Sequence, residues 1–309
     1  MFLPLFSKGR TPSPIFLLFL FYFFALIIAA IGTPLIFNWV VQWNRQSPNP
    51  LNAYLLRKGF VIFFERIRLI AVLCFLPVIW RMYHGIYGEK LGFGRKNFRL
   101  FFAFFVFGGL LVGGIFAIKM VFLNFRWEVL PAFSLVRAFA GALLIGVLEE
   151  WLFRGIIFKF LLDEMRPSFA FILSAFIFAY FHFRPTYSLS AVREATFSDG
   201  FFCLYEVIFH SLAGISWFKF AIIFSLGYLL AAIYFRTGKL SAAMGFHGGI
   251  IFSLTIFKGS LFFSGAHVFL GSNDLFDSPL ALAVIILTII FNKWQINSFM
   301  VFPRRNSQP

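Results

Sequence analysis

Apolar runs of about twenty residues, each long enough to cross a bilayer, recur along almost the whole chain. That pattern leaves the backbone few options. In a bilayer core every N–H and C=O must be paired inside the protein, so only helices and closed barrels can span it. The runs here are continuous rather than alternating, which points to helices. Composition agrees: the 309 residues are 61% hydrophobic and 13% charged, whereas a soluble domain is about half apolar and a quarter charged. The expected fold class is all-α, a polytopic transmembrane helical bundle of about eight spans.

The spans are placed at 15–39, 69–83, 98–122, 131–161, 168–183, 218–235, 240–263 and 279–294. Glu65, Arg66 and Arg68 make the second the least regular. Lys8 and Arg10 precede the first run, but its core exceeds the 7–15 residues of a signal peptide, so it reads as a retained helix. The net charge is +15, with Lys and Arg spread through the loops, so it speaks for topology and anionic head groups rather than nucleic acid. One side receives Lys8, Arg10, the residues from Arg81 to Arg99, Lys159, Arg166, Arg236, Lys239, Lys293, Arg304 and Arg305. The other receives Asp274 and Asp277. The positive-inside rule then puts both termini in the cytoplasm. Residues 45–68, with five basic residues, run against this and read as an interfacial segment. Cys74 and Cys203 lie in apolar stretches, which argues against disulfides or a cysteine metal site. The 51 phenylalanines fit an AT-rich coding lineage, and the plasma (inner) membrane of a bacterium is the expected location.

Against this background two adjacent glutamates stand out, inside the run Leu148-Glu149-Glu150-Trp151-Leu152-Phe153-Arg154. Ionisable side chains at membrane depth are costly and usually face the bundle interior. Glu150 and Arg154 are four apart and stack on one helix face as an ion pair. Glu149 points about 100° away, unpaired within its own helix and free to face another. A turn at 163–167 joins this helix to the next, and its midpoint is equidistant from Glu149 and His182. In an antiparallel hairpin those two residues lie at the same depth. His247 sits in Gly245-Phe246-His247-Gly248-Gly249. Small residues there let a neighbouring helix approach closely, or leave room for a substrate backbone or water. Glu206 and His210, also four apart, share a face of segment 200–217, which is a surface-lying amphipathic helix or a ninth partial span.

These residues together resemble the CPBP family of intramembrane proteases, which includes the CAAX prenyl endopeptidases and bacterial Abi proteins. That family carries Glu-Glu-x-x-x-Arg, then Phe-x-x-x-His, then His-x-x-x-Asn or Asp on successive core helices. Glu149, Glu150 and Arg154 match the first motif, Phe178 and His182 the second, and His247 the start of the third. The resemblance covers roughly 131–263, leaving 1–130 as a variable N-terminal region of about three spans and 264–309 as a last span with a basic tail. The third motif departs at its end, where Ile251 stands instead of Asn or Asp. In the family that polar residue is thought to hold the reacting carbonyl or oxyanion.

The resemblance implies hydrolysis of a peptide or membrane-protein substrate, with Glu149, His182 and His247 as catalytic residues and Glu150 and Arg154 in support. Two histidines and a glutamate can also supply three ligands to Zn2+, with water in the fourth position. The same trio can equally run metal-free acid–base hydrolysis. Other intramembrane chemistries lack their signatures: there is no His-Glu-x-x-His, Ser264-Gly265 lacks a preceding Gly-x, and the aspartates lie in loops. The rival from another class is a non-catalytic scaffold, immunity factor or transporter using the same polar cavity, and Ile251 is its best argument. No paired broken spans in two related halves support a transporter.

Overall fold

The computed structural model describes residues 14–87, 95–183, 194–210, 216–265, 267–271 and 274–299. Lys8, Arg10, Arg304 and Arg305, on which the expected orientation leans, lie outside these, as do residues 88–94 and the side chains of His210, Asp277 and Lys293. In chain order the elements are α1 (Pro14–Gln46), α2 (Pro50–Arg57), α3 (Phe60–Tyr87), α4 (Arg95–Phe122), β1 (Phe125–Trp127), α5 (Ala132–Glu150), a π-helix (Trp151–Phe158), α6 (Lys159–Glu164), α7 (Pro167–Phe181), α8 (Phe197–Tyr205), a short π-turn (Glu206–His210), α9 (Trp217–Thr237), α10 (Leu240–Ser260), β2 (Leu261–Phe263), a 3-10 turn (Leu275–Asp277) and α11 (Pro279–Phe299).

The protein is an all-α membrane helical bundle. Five helical stretches are long and apolar enough to cross a bilayer among the described residues: Phe19–Gln46, Asn97–Phe122, Ala132–Glu164, Trp217–Thr237 and Leu240–Ser260. Pro167–Phe181 and Pro279–Phe291 are apolar but shorter. The expected count of eight is not confirmed. The second expected span falls in α3, where Glu65, Arg66 and Arg68 precede the apolar run and Arg81 lies near its end.

Helix ends follow local chemistry. The Asn49 side chain accepts a hydrogen bond from the Asn52 N–H at 2.9 Å, and Pro50 opens α2, where a missing donor costs nothing. Ser216 caps α9 through the Lys219 N–H, and α9 stops at Gly238, whose φ of 60° only glycine adopts readily.

The chain divides into two compact units. The first comprises 1–90 and 183–215. Within it α1, α3 and α8 enclose a core of Leu26, Ala29, Phe37, Phe60, Phe64 and Cys203. Asn38 exchanges two hydrogen bonds with the Ala195 backbone, at 2.7 and 2.8 Å. Glu206, at the end of α8, is buried here.

The second unit comprises 91–182 and 216–309, and it holds every residue of the sequence constellation. Here α4 and α10 pack backbone to backbone. A Cβ on Gly245 would overlap the Phe101 carbonyl, and one on Gly249 would overlap that of Phe105. On its other side α10 meets α5, where a Cβ on Gly146 would come 3.0 Å from the Gly248 nitrogen. The glycines around His247 thus serve helix packing, as small residues do in membranes. The space once allowed there for a substrate backbone or water is filled by α4 and α5. A two-stranded antiparallel pair, Phe125–Trp127 against Leu261–Phe263, ties the ends of these helices together. Three-residue strands within apolar sequence carry no period that would have announced them.

Candidate active site

The polypeptide from Ala132 to Glu164 is one continuous helical stretch, but not a uniform one. It leaves α geometry after Glu150 and runs as a π-helix through Phe158. Regular α geometry was expected across this stretch. π-Segments recur at functional sites, and this one begins at the residue after the paired glutamates.

Glu150 and Arg154 are both fully buried. Arg154 Nη1 donates to Glu150 Oε1 at 2.7 Å, and Nη2 donates to the Gly227 carbonyl of α9 at 2.9 Å. Glycine at 227 keeps α9 close to α7, since a Cβ there would meet Phe178 at 2.9 Å. The guanidinium also lies over the Phe178 ring, 4.3 Å from its centre, a favourable contact for a desolvated cation.

Glu150 has a second partner that sequence spacing did not disclose. Its Oε1 also accepts from His247 Nδ1, at 2.8 Å. One carboxylate therefore joins the arginine of its own helix to the histidine of α10. His182, at the C-terminal end of α7, places Nδ1 2.7 Å from the Phe178 carbonyl. A carbonyl only accepts, so this nitrogen of His182 carries the proton. His247 Nδ1 likewise donates, to a carboxylate oxygen that also accepts from Arg154. Both imidazoles are thereby held by Nδ1 and turn Nε2 toward Glu149.

Glu149 Oε2 lies 3.4 Å from His182 Nε2 and 3.9 Å from His247 Nε2. These distances exceed a well-formed hydrogen bond, and the buried oxygen has no hydrogen-bond partner. The two glutamates differ in access: the Glu149 side chain is 32% exposed, that of Glu150 0%. Only Glu149 can meet solvent or a substrate. The equal depth expected for Glu149 and His182 is realised across the hairpin.

One atom of each of Glu149, His182 and His247 lies within 4.8 Å of the others. Two imidazoles with free Nε2, each fixed through Nδ1, and an orphaned carboxylate oxygen form a donor set that suits zinc. They suit a water molecule equally.

Phe178 entered only as a motif position. Its ring packs against Arg154, lies 4.2 Å from His182 and 5.7 Å from His247, centre to centre. It is a buried platform shared by three polar groups of the cluster. Ile251, one turn beyond His247, does not touch this network. It lines a small cavity between α5 and α10 with Ile145 and Thr255, and the Thr255 hydroxyl donates to the Ile251 carbonyl at 2.8 Å.

Residues 131–253 match the family model described as type II CAAX prenyl endopeptidase Rce1-like. This segment is similar to the core of the CAAX proteases. The match spans about two-fifths of the chain and contains Glu149, Glu150, Arg154, His182 and His247, all in the second unit. No curated protein and no solved structure matches the chain. The chain is thus an integral membrane protein with a segment similar to a protease family.

Proposed function

We propose that this protein is an intramembrane endopeptidase in which Glu149 is the general base. A water beside Glu149 Oε2 and His182 Nε2 donates one hydrogen to each. One of its lone pairs points at the scissile carbonyl carbon. Glu149 takes the proton as the C–O bond forms. His247, protonated at Nε2 as well, donates to the developing oxyanion and then to the leaving amine. Glu150 makes that possible by holding Nδ1 of His247 and stabilising the imidazolium. Arg154 offsets the Glu150 charge, so two carboxylates, one guanidinium and one imidazolium sum to zero in a site shielded from water. His182 gives its Nδ1 proton to the Phe178 carbonyl, which leaves Nε2 as the nitrogen that accepts from the water.

The observation that carries this reading is the unpartnered, buried Glu149 Oε2 facing two Nε2 atoms at 3.4 and 3.9 Å. Glu149, His182 and His247 would hold a zinc ion, which would supply a lowered pKa for bound water. The α5–α7–α10 framework positions these side chains in either case.

The test is cleavage of a peptide library by purified protein in proteoliposomes, with new N-termini read by mass spectrometry. Glu149→Ala and His182→Ala are each expected to abolish it. Cleavage unchanged in both variants contradicts the proposal. A cellular role that survives both favours the scaffold reading to which Ile251 points.

A further inference from the structure

Three helices of the second unit, α4, α9 and α11, enclose a partly open cavity of about 480 Å3, a size that suits a small organic ligand. None of Glu149, His182 and His247 lines it. Its walls are mostly apolar: Phe104 and Phe107 of α4, Leu229 and Ile233 of α9, and Phe291 of α11. Two threonines add little polarity. Thr237 donates its hydroxyl to the Ile233 carbonyl at 2.8 Å, and Thr288 donates to the Val284 carbonyl at 2.8 Å. From Leu229 to Thr237 the wall on α9 runs about 12 Å, close to the half-thickness of about 15 Å that one leaflet's acyl chains occupy.

One end of this groove is cationic. Arg236 is the one charged group among the described residues lining it, and it is exposed. Helical side chains lean toward their own N-terminus, so the stem of Arg236 leads back over Ile233 at the groove's mouth. On α4, exposed Arg99 stands one turn before Ala103, which also lines the groove, and shares its face. Helices α4 and α10 run parallel, with Phe101 against Gly245 and Phe105 against Gly249. Counting back in that register sets Arg99 level with residue 243, about one turn from exposed Lys239 at the head of α10. Gly238 turns α9 directly into α10, so Arg236, Lys239 and Arg99 gather at one membrane level. Helices α4, α9, α10 and α11 contain no Asp or Glu.

We propose that this groove binds an anionic phospholipid of the surrounding leaflet, with an acyl chain along the apolar walls and the phosphate on Arg236. A guanidinium meets a phosphate in two-pronged fashion, and Arg99 and Lys239 add attraction at the head-group level, as basic pockets between membrane helices do. A soluble anion would leave the apolar walls unfilled, and a neutral lipid would gain nothing from the three cations. The lipid also has a structural consequence. Helix α11 packs mainly on α9 and only marginally on α4, so the bound chain is a wedge that joins α11 to α4. The proposal stands independently of the endopeptidase reading.

The test is lipid retention. Full-length protein is placed in nanodiscs of equal parts phosphatidylglycerol and phosphatidylcholine with matched acyl chains, then released and weighed with its bound lipids by native mass spectrometry. Wild-type protein should retain phosphatidylglycerol over phosphatidylcholine by roughly tenfold, the scale of one charge-assisted pair. Arg236→Ala should bring that ratio toward one, and Arg236→Lys should restore part of it. Ala103→Phe, which fills the groove, should lower retention of the lipid itself. Arg126→Ala removes the same charge from β1, outside this cavity, and should leave the ratio unchanged. The unfolding temperature, which also reports that each variant is folded, should rise with phosphatidylglycerol content in the wild type and not in Arg236→Ala. A ratio near one in the wild type overturns the proposal and leaves a groove for lipid tails of any kind. A ratio that Arg236→Ala leaves intact, or that Arg126→Ala lowers equally, overturns it too.

Discussion

Replacing Arg154 with methionine isolates what the buried ion pair does. The change keeps an unbranched side chain of similar length beside Phe178 but removes the cation. Glu150, with no exposed surface, is then left with His247 as its remaining partner, and the Gly227 carbonyl loses its donor. Removing one member of a buried pair costs about 3–5 kcal/mol, because the other charge stays buried. Against total stabilities of about 5–15 kcal/mol that is a large fraction. The double variant Glu150→Gln/Arg154→Met removes both charges, so it should recover most of the loss. Reversible unfolding of the three proteins in bicelles, followed by tryptophan fluorescence, measures both steps. A single variant within about 1 kcal/mol of wild type, the range of ordinary surface changes, would refute the reasoning.

The Glu150–His247 bond predicts that Glu150→Gln lowers the cleavage rate by roughly tenfold to a hundredfold, as loss of such orienting partners does, with KM little changed. Gly249→Ala should destabilise by about 1–3 kcal/mol through overpacking against the Phe105 carbonyl. Gly248→Ala, whose Cβ would sit 3.4–3.5 Å from its neighbours, should unfold near the wild-type temperature. In the first unit, burial and the nearby Asp199, Glu65 and Glu206 carboxylates push the Cys203 thiol up to about 12. A thiolate-selective reagent at pH 8 should therefore label exposed Cys74 and spare Cys203, as mass spectrometry of the tagged peptides would read.

Much of the site was legible because helical spacing is a strong constraint. Four-residue separation placed Arg154 on Glu150, and the hairpin turn placed His182 level with Glu149. Both follow from residues close in sequence. The link from Glu150 to His247 joins positions 97 apart, and nothing in spacing selects it over a simple Glu–Arg pair. The π-helix after Glu150 was also hidden, because its residues are ordinary apolar ones that fit an α-helix equally well. The glycines around His247 announced close packing, but two readings fitted them until α4 and α5 were seen to fill the space. The count of eight spans is not confirmed: five stretches among the described residues are long and apolar enough to cross.

The most direct test compares wild-type protein with Glu149→Gln, a change of one oxygen to an NH2 group that preserves size and shape. Peptide N-termini newly generated by each protein in proteoliposomes are counted, with circular dichroism and unfolding temperature confirming equal folding. The account predicts cleavage by the wild type and none above background by the folded variant. Equal cleavage by both proteins would contradict it.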